Sequence, residues 1–285
     1  MMTAITLNCG CGETSRLQRS GSEIMNRLII VEGLPCSGKS TVSKYIADRL
    51  GARFWDEGSG EHPADYEFHA YIDNAALNGF TADEQTLIRQ NAVRRSGGFI
   101  VPLGAFSGEM SEKLLQYKIY DFLPWETEKP VMLDKWREFV NSAVPGEKYV
   151  FNCVLLQNPM CETMMRFGFD AETSAEYIRS ICDIISPLEP FVVYLHTGNI
   201  RDVTGQTISE RGEEWLKSVT DYHCNGAYGK ANGLAGFNGY ITALEERQRR
   251  EVEILRSLNI RHIIIDDLRE NRDRAYSGIM RALEE

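Results

Sequence analysis

The sequence predicts an α/β fold: a five-stranded parallel sheet, in the order 2-3-1-4-5, with helices on both faces. Three observations lead there. Short β-branched runs alternate with stretches of helical spacing, the first run passes through a glycine-rich turn into a helix, and no internal repeat or low-complexity segment interrupts the pattern. Residues 27–32 (RLIIVE) form the first strand, an apolar run bounded by polar residues. Residues 42–50 follow the glycine-rich turn, with apolar side chains at 42, 45, 46 and 50 in helical spacing and Gly51 as a C-cap candidate. Residues 52–55 are the second strand and end at Asp56-Glu57. The third, fourth and fifth strands are read at 148–156, 190–195 and 261–265, with helical stretches at 171–186, 201–222, 240–258 and 267–283.

The span from 58 to 147 is too long for a bare loop. Residues 82–94 and 109–120 have helical spacing, 99–103 are extended or a turn, and Trp136 and Phe139 read as core, so the span predicts a helical insertion between strands two and three. Residues 25–285 then make a single domain. Residues 1–24 read as a flexible leader, with Met25 a candidate start of the native chain.

Lys and Arg number 31 against 41 Asp and Glu, a net charge of −10. That balance argues against nucleic acid or anionic membrane as a partner and requires any anion to be held by a local site. No apolar run approaches the ~18–20 residues that cross a bilayer, and the N-terminus lacks the apolar core of a secretory signal. Seven scattered Cys (9, 11, 36, 153, 161, 182, 224) fit reduced thiols in a cytoplasmic protein. Cys9 and Cys11 have no second pair or nearby His and make a poor metal site. No interface is readable, so a homodimer stays open.

Gly33-Leu34-Pro35-Cys36-Ser37-Gly38-Lys39-Ser40-Thr41 matches G-x-x-x-x-G-K-[ST], the phosphate-binding loop of the P-loop NTPase fold. The two glycines let the backbone turn so that successive N–H groups face an anion, and the following helix adds its positive N-terminal end. Lys39 can reach the β- and γ-phosphates of ATP, Ser40 can offer its hydroxyl to Mg²⁺, and Thr41 can support the α-phosphate. Glu57 is the candidate base at the end of strand two, with Asp56 second; on an alternating strand only one of them faces the site, and both could instead be a solvated strand terminus. Arg211 is the candidate for neutralising a migrating phosphoryl group, with Arg201 second; the alternative for Arg211 is pairing with Glu210, Glu213 or Glu214. Gln157 and Asn158 end strand three and either read an acceptor or cap a turn before Pro159. His62, Asp65 and Tyr66 follow strand two and either line an acceptor pocket or form a plain loop. Residues 221–239 carry glycine at high density, which reads as a mobile loop or a plain long one. A guanine-reading Asn-Lys-x-Asp is lacking, and Asp202-Val203-Thr204-Gly205 follows the wrong strand for a GTP switch.

Residues 28–41 (LIIVEGLPCSGKST) resemble the opening of nucleoside and nucleotide kinases of the thymidylate kinase and deoxynucleoside kinase type. Asp56-Glu57 after strand two, then 193–195, Ile208-Ser209-Glu210-Arg211 and 261–266, are similar in order to the acidic position, fourth strand, Arg-bearing lid and last strand of those kinases. Bacterial members of unassigned substrate look closer still, sharing 61–66 (EHPADY) and 156–159 (LQNP). Over 26–270 the resemblance implies MgATP as phosphoryl donor, a lid at 199–239, an insertion that faces a small-molecule acceptor, and transfer to a hydroxyl or phosphate. Such kinases often carry Asp-Arg at the end of strand three, where this chain has Leu156-Gln157-Asn158-Pro159. Asp56, Glu57 or water would then assist the metal, and the alternative is a nucleotide-binding protein without catalysis.

Overall fold

The computed structural model describes residues 26–266 and 268–285. The leader, its Met25 boundary, Cys9 and Cys11 lie outside the described residues.

The strands in chain order are β1 (Leu28–Gly33), β2 (Arg53–Trp55), β3 (His69–Ile72), β4 (Val93–Arg95), β5 (Gly98–Pro102), β6 (Tyr149–Asn152), β7 (Phe191–His196) and β8 (Arg261–Asp266). Five of them form a parallel sheet in the order β2-β6-β1-β7-β8, which counts as 2-3-1-4-5 within that sheet. β1 lies at its centre and is buried along its whole length. Its side chains alternate between faces. Leu28 and Ile30 join one core with Phe151, Tyr194, Trp136 and Phe139, under the helices Trp125–Ser142, Ala171–Ile185 and Gly236–Ser257. Ile29 and Val31 join the other with Val42, Ile46 and Ile279, under α1 (Lys39–Leu50) and the C-terminal helix Arg272–Glu284. Full burial of side chains of this size contributes about 2 kcal/mol each, which is why the run at the sheet centre is apolar on both faces.

The insertion departs from the purely helical expectation. It holds helices such as Ala82–Asn91 and Trp125–Ser142, but also a three-stranded antiparallel sheet, β3-β5-β4. β4 and β5 are joined through Ser96 and Gly97, both at positive φ (51° and 78°), the turn that matches strand twist in tight hairpins. Tyr71 donates its hydroxyl to Ser96 O at 2.7 Å and holds the turn. Ile72, Phe80, Ile88, Phe99, Val101 and Leu114 give this unit its own small core.

Two further expectations change. The helix read at 201–222 breaks at Gly212 (φ 86°, ψ 173°) into Ile200–Arg211 and Glu213–Cys224. The glycine-rich run at 221–239 is mostly helical, through Ala227–Ala231 and the start of Gly236–Ser257. Two of its glycines serve close packing: a Cβ on Gly226 would sit 2.1 Å from Met165 O, and one on Gly229 would sit 2.2 Å from Cys224 O. Among the described residues, no helix is long and apolar enough to cross a membrane.

Candidate active site

The phosphate loop leaves β1 as its motif requires. Gly33 has φ 141°, and a Cβ there would lie 2.5 Å from Leu195 O, so only glycine fits. Cys36 (φ 68°) and Gly38 (φ 97°) also take left-handed backbone before α1 begins. The first N–H groups of α1 have no intrahelical acceptor and open towards the cleft. Lys39 is buried and folds back, donating from Nζ to Leu34 O at 2.8 Å. The Ser37 hydroxyl is buried without a partner.

A cleft of about 690 Å³ lies against this loop, at the carboxyl edge of the parallel sheet. Pro35, Cys36, Gly38, Lys39, Ser40 and Thr41 line it, and so do Glu57, Gln157, Asn158 and Arg211. Asp56 sits at its mouth: Ser40 donates from Oγ to Asp56 Oδ1 at 3.1 Å, and Asn152 Nδ2 donates to both. Glu57 turns the other way along the cleft, accepting from Gln157 Nε2 at 3.1 Å and from Cys153 Sγ at 3.2 Å. Strand alternation does not choose between the two acids, because β2 ends at Trp55 and both belong to the turn beyond it. Ser40 and Asp56 give a hydroxyl and a carboxylate in contact, a donor set that fits Mg²⁺, which takes oxygen ligands and keeps several waters. Among the described residues, no group of three or more His, Cys, Asp and Glu is placed to hold a metal ion by itself.

The strand that would carry a further acid is shorter than expected. β6 stops at Asn152, and Cys153 reverses the chain at φ 69°. The turn is held from below by Glu32, which accepts the backbone N–H groups of Leu155 (2.7 Å), Leu156 (3.0 Å) and Gln157 (3.0 Å). Burial pushes the Glu32 carboxyl up to about 7 against those three donors. Glu32 therefore positions Gln157 and Asn158 at the cleft.

The remaining expected residues separate. Asn158 Nδ2 donates to Asp65 Oδ2 at 3.0 Å, and Tyr120 donates to Asp65 Oδ1 at 2.6 Å, so Asp65 braces two residues of the wall from behind. Burial raises its carboxyl to about 6. His62 and Tyr66 lie in core packing rather than on the cleft. The His62 ring meets Phe151 edge-on at 4.5 Å, and Lys135 sits 4.7 Å from the Tyr66 ring centroid. Arg211, at the end of its helix, has its guanidinium 5.5 Å from the Trp215 ring and pairs with no carboxylate among the described residues. Arg201 faces a separate shallow hollow, bonded to Asn238 Oδ1 at 3.0 Å and 5.2 Å from the Phe237 ring.

Sequence reasoning missed Asn152, Glu67, Lys118, Arg247 and Arg269 at this site. Arg269 follows β8 and clamps the loop, donating to Cys36 O at 3.1 Å and to Gln206 Oε1 at 2.6 Å. Its place beyond a strand's carboxyl end was the available signal.

Burial holds the His62 pKa near 3, against an ordinary 6.5. Below pH 6.5 the unfolded chain takes up a proton that the folded chain refuses, so this group's contribution to stability is present above 6.5 and is lost as pH falls towards 3. Melting curves between pH 7.5 and pH 5 are expected to show a smaller fall in Tm for His62→Gln than for the wild type. Equal falls would contradict the assignment.

No family model matches the chain. It is similar to a shikimate kinase of Actinobacillus succinogenes, 24% identical over 167 residues, which cover 56% of this chain and 95% of that protein. Among solved structures it is similar to the YorR protein of Bacillus subtilis in complex with phosphorylated GDP (16% identity, 90% of this chain and 95% of that one, TM-score 0.43). It is also similar to deoxyadenosine kinase of M. mycoides with bound dATP (15% identity, 90% and 100% coverage, TM-score 0.42).

Proposed function

We propose that the chain is a cytosolic small-molecule kinase that moves the γ-phosphoryl group of MgATP to a hydroxyl or phosphate of its acceptor. The observation that carries this reading is that one cleft is lined by the phosphate loop, by Glu57 and by the unpaired Arg211. The likeness to a shikimate kinase, a phosphoryl-transfer enzyme by name, supports it.

Phosphoryl transfer asks a protein for position and charge more than for covalent help. Residues 33–41 receive the phosphates on backbone N–H groups, and Lys39 releases Leu34 O to meet them. Ser40 and Asp56 are the residues that would hold Mg²⁺, which when bound neutralises charge on the β- and γ-phosphates. Glu57 accepts the proton of the acceptor hydroxyl and is kept in line by Gln157. Arg211 meets the charge that develops on the migrating group. The helices Ile200–Arg211 and Glu213–Cys224, joined at Gly212, form a lid that brings Arg211 inward and excludes water. Residues 58–147 wall the acceptor side through Glu67, Lys118 and Tyr120. The free thiols of Cys36, Cys153, Cys161, Cys182 and Cys224 accord with a reducing compartment.

ADP release measured with MgATP across nucleosides, nucleotides, sugars, hydroxy acids and antibiotics is expected to rise with one acceptor class only. ADP formation that ignores every acceptor would contradict the reading.

A further inference from the structure

The wall of the cleft contributed by Gly236–Ser257 holds buried polar atoms that the transfer steps above leave unused. Arg247 is fully buried and lines the cleft. Its Nε pairs with Glu251 Oε1 at 3.0 Å and its Nη1 donates to Cys161 Sγ at 3.2 Å, while Nη2 has no acceptor. Glu251 is engaged elsewhere as well, accepting from Tyr194 Oη at 2.6 Å. Tyr240 lies seven residues before Arg247, on the same helical face, and its hydroxyl is buried without a partner. His223 stacks on the Tyr240 ring at 5.3 Å and 21°, and its Nδ1 is likewise buried and unpartnered.

Orphaned buried donors cost more than a made hydrogen bond returns, so three of them facing one cleft, two on Gly236–Ser257 and His223 on Glu213–Cys224, call for a ligand. Burial and the Arg247 charge drive His223 down to about 3, which leaves a neutral ring able to donate from one nitrogen. Of the other acids on this side of the cleft, Glu162 is held by Arg166 Nη1 at 2.6 Å and Asp121 by Lys118 Nζ at 2.7 Å. What remains is a guanidinium edge, a phenol and a neutral imidazole, each able to donate a hydrogen bond and none negatively charged, a set that suits an oxyanion.

We propose that Arg247, Tyr240 and His223 bind a carboxylate or phosphate on the acceptor, so that the substrate is an anionic small molecule whose hydroxyl is presented to Glu57. The proposal rests on the kinase reading for its orientation and on the buried donors for its chemistry.

The test uses full-length protein loaded with Mg²⁺ and a non-hydrolysable ATP analogue, which fills the phosphate loop. Calorimetry then follows inorganic phosphate in one arm and malonate in the other, and the arm that binds identifies the anion. Arg247→Gln is expected to weaken that binding by about tenfold or more, and Tyr240→Phe by about fivefold, with a Tm no lower than that of the wild type because the lost hydroxyl has no partner. Should Arg247→Gln fail to fold, Tyr240→Phe decides. Binding of neither anion, or equal affinity in wild type and variants, would overturn the proposal. Failure of the nucleotide analogue to bind would count against the kinase reading instead, and the anions would then be titrated without it, with the same dependence on Arg247 and Tyr240 deciding the result.

Discussion

Replacing Arg211 by Ala is expected to lower acceptor-dependent turnover by about 10³- to 10⁵-fold, the weight carried by an arginine that meets the charge of a migrating phosphoryl group. The effect belongs to kcat, because the charge it answers develops only in the transition state. Two features of the structure make Arg211 available for this. Its guanidinium lies over Trp215, and none of its acidic neighbours Glu210, Glu213 and Glu214 pairs with it among the described residues. Gly212, immediately after it, has a backbone that only glycine holds easily (φ 86°, ψ 173°), so the break between the two helices lies next to the cation. Arg211→Lys is expected to recover only a small part of the rate, since an ammonium lacks the planar fork. Steady-state rates that fall less than about threefold in Arg211→Ala would remove this residue from the mechanism.

Glu57→Gln is expected to cut turnover by about 10²- to 10⁴-fold while leaving the affinity for MgATP nearly unchanged, as befits loss of a general base. The amide keeps an oxygen for Gln157 Nε2, so the wall of the cleft is preserved and the change isolates proton acceptance. Asp56→Asn should behave differently: it touches Ser40 and is expected to raise the Mg²⁺ concentration needed for activity. Kinetics of both variants over a magnesium titration separate the two acids. If Glu57→Gln shifts only the magnesium requirement, the roles are reversed.

The parts of this molecule that are governed by neighbours in sequence were legible in it. The loop at 33–41 and the helix after it follow from glycine, lysine and apolar spacing within twenty residues, and the five strands of the large sheet follow from apolar runs that alternate with stretches of helical spacing. The small sheet in the insertion was not legible, because the pairing of β3, β4 and β5 is set by contacts across the unit and no strand–helix alternation marks them. The glycines at 226 and 229 read as part of a loop, mobile or plain, and in the structure they allow close approach of neighbouring backbone, which only the packed structure reveals. Within the helical stretch read at 240–258, Arg249 and its partner Glu253 are exposed. Arg247 and Glu251 lie in the same run and are fully buried, a distinction that depends on which side of the helix meets the sheet. His62 and Tyr66 show the reverse: polar residues near a strand end that the fold spends on packing.

The main-chain cradle at 33–41 gripping a triphosphate is what every step above depends on. Isothermal titration of wild type with MgATP, set beside Lys39→Ala, tests it directly. Saturable one-to-one binding in the wild type, weakened at least about a hundredfold in the variant, is the expected result, given the loss of a charged donor to two phosphates. Wild-type protein that binds MgATP no better than Lys39→Ala would contradict the account.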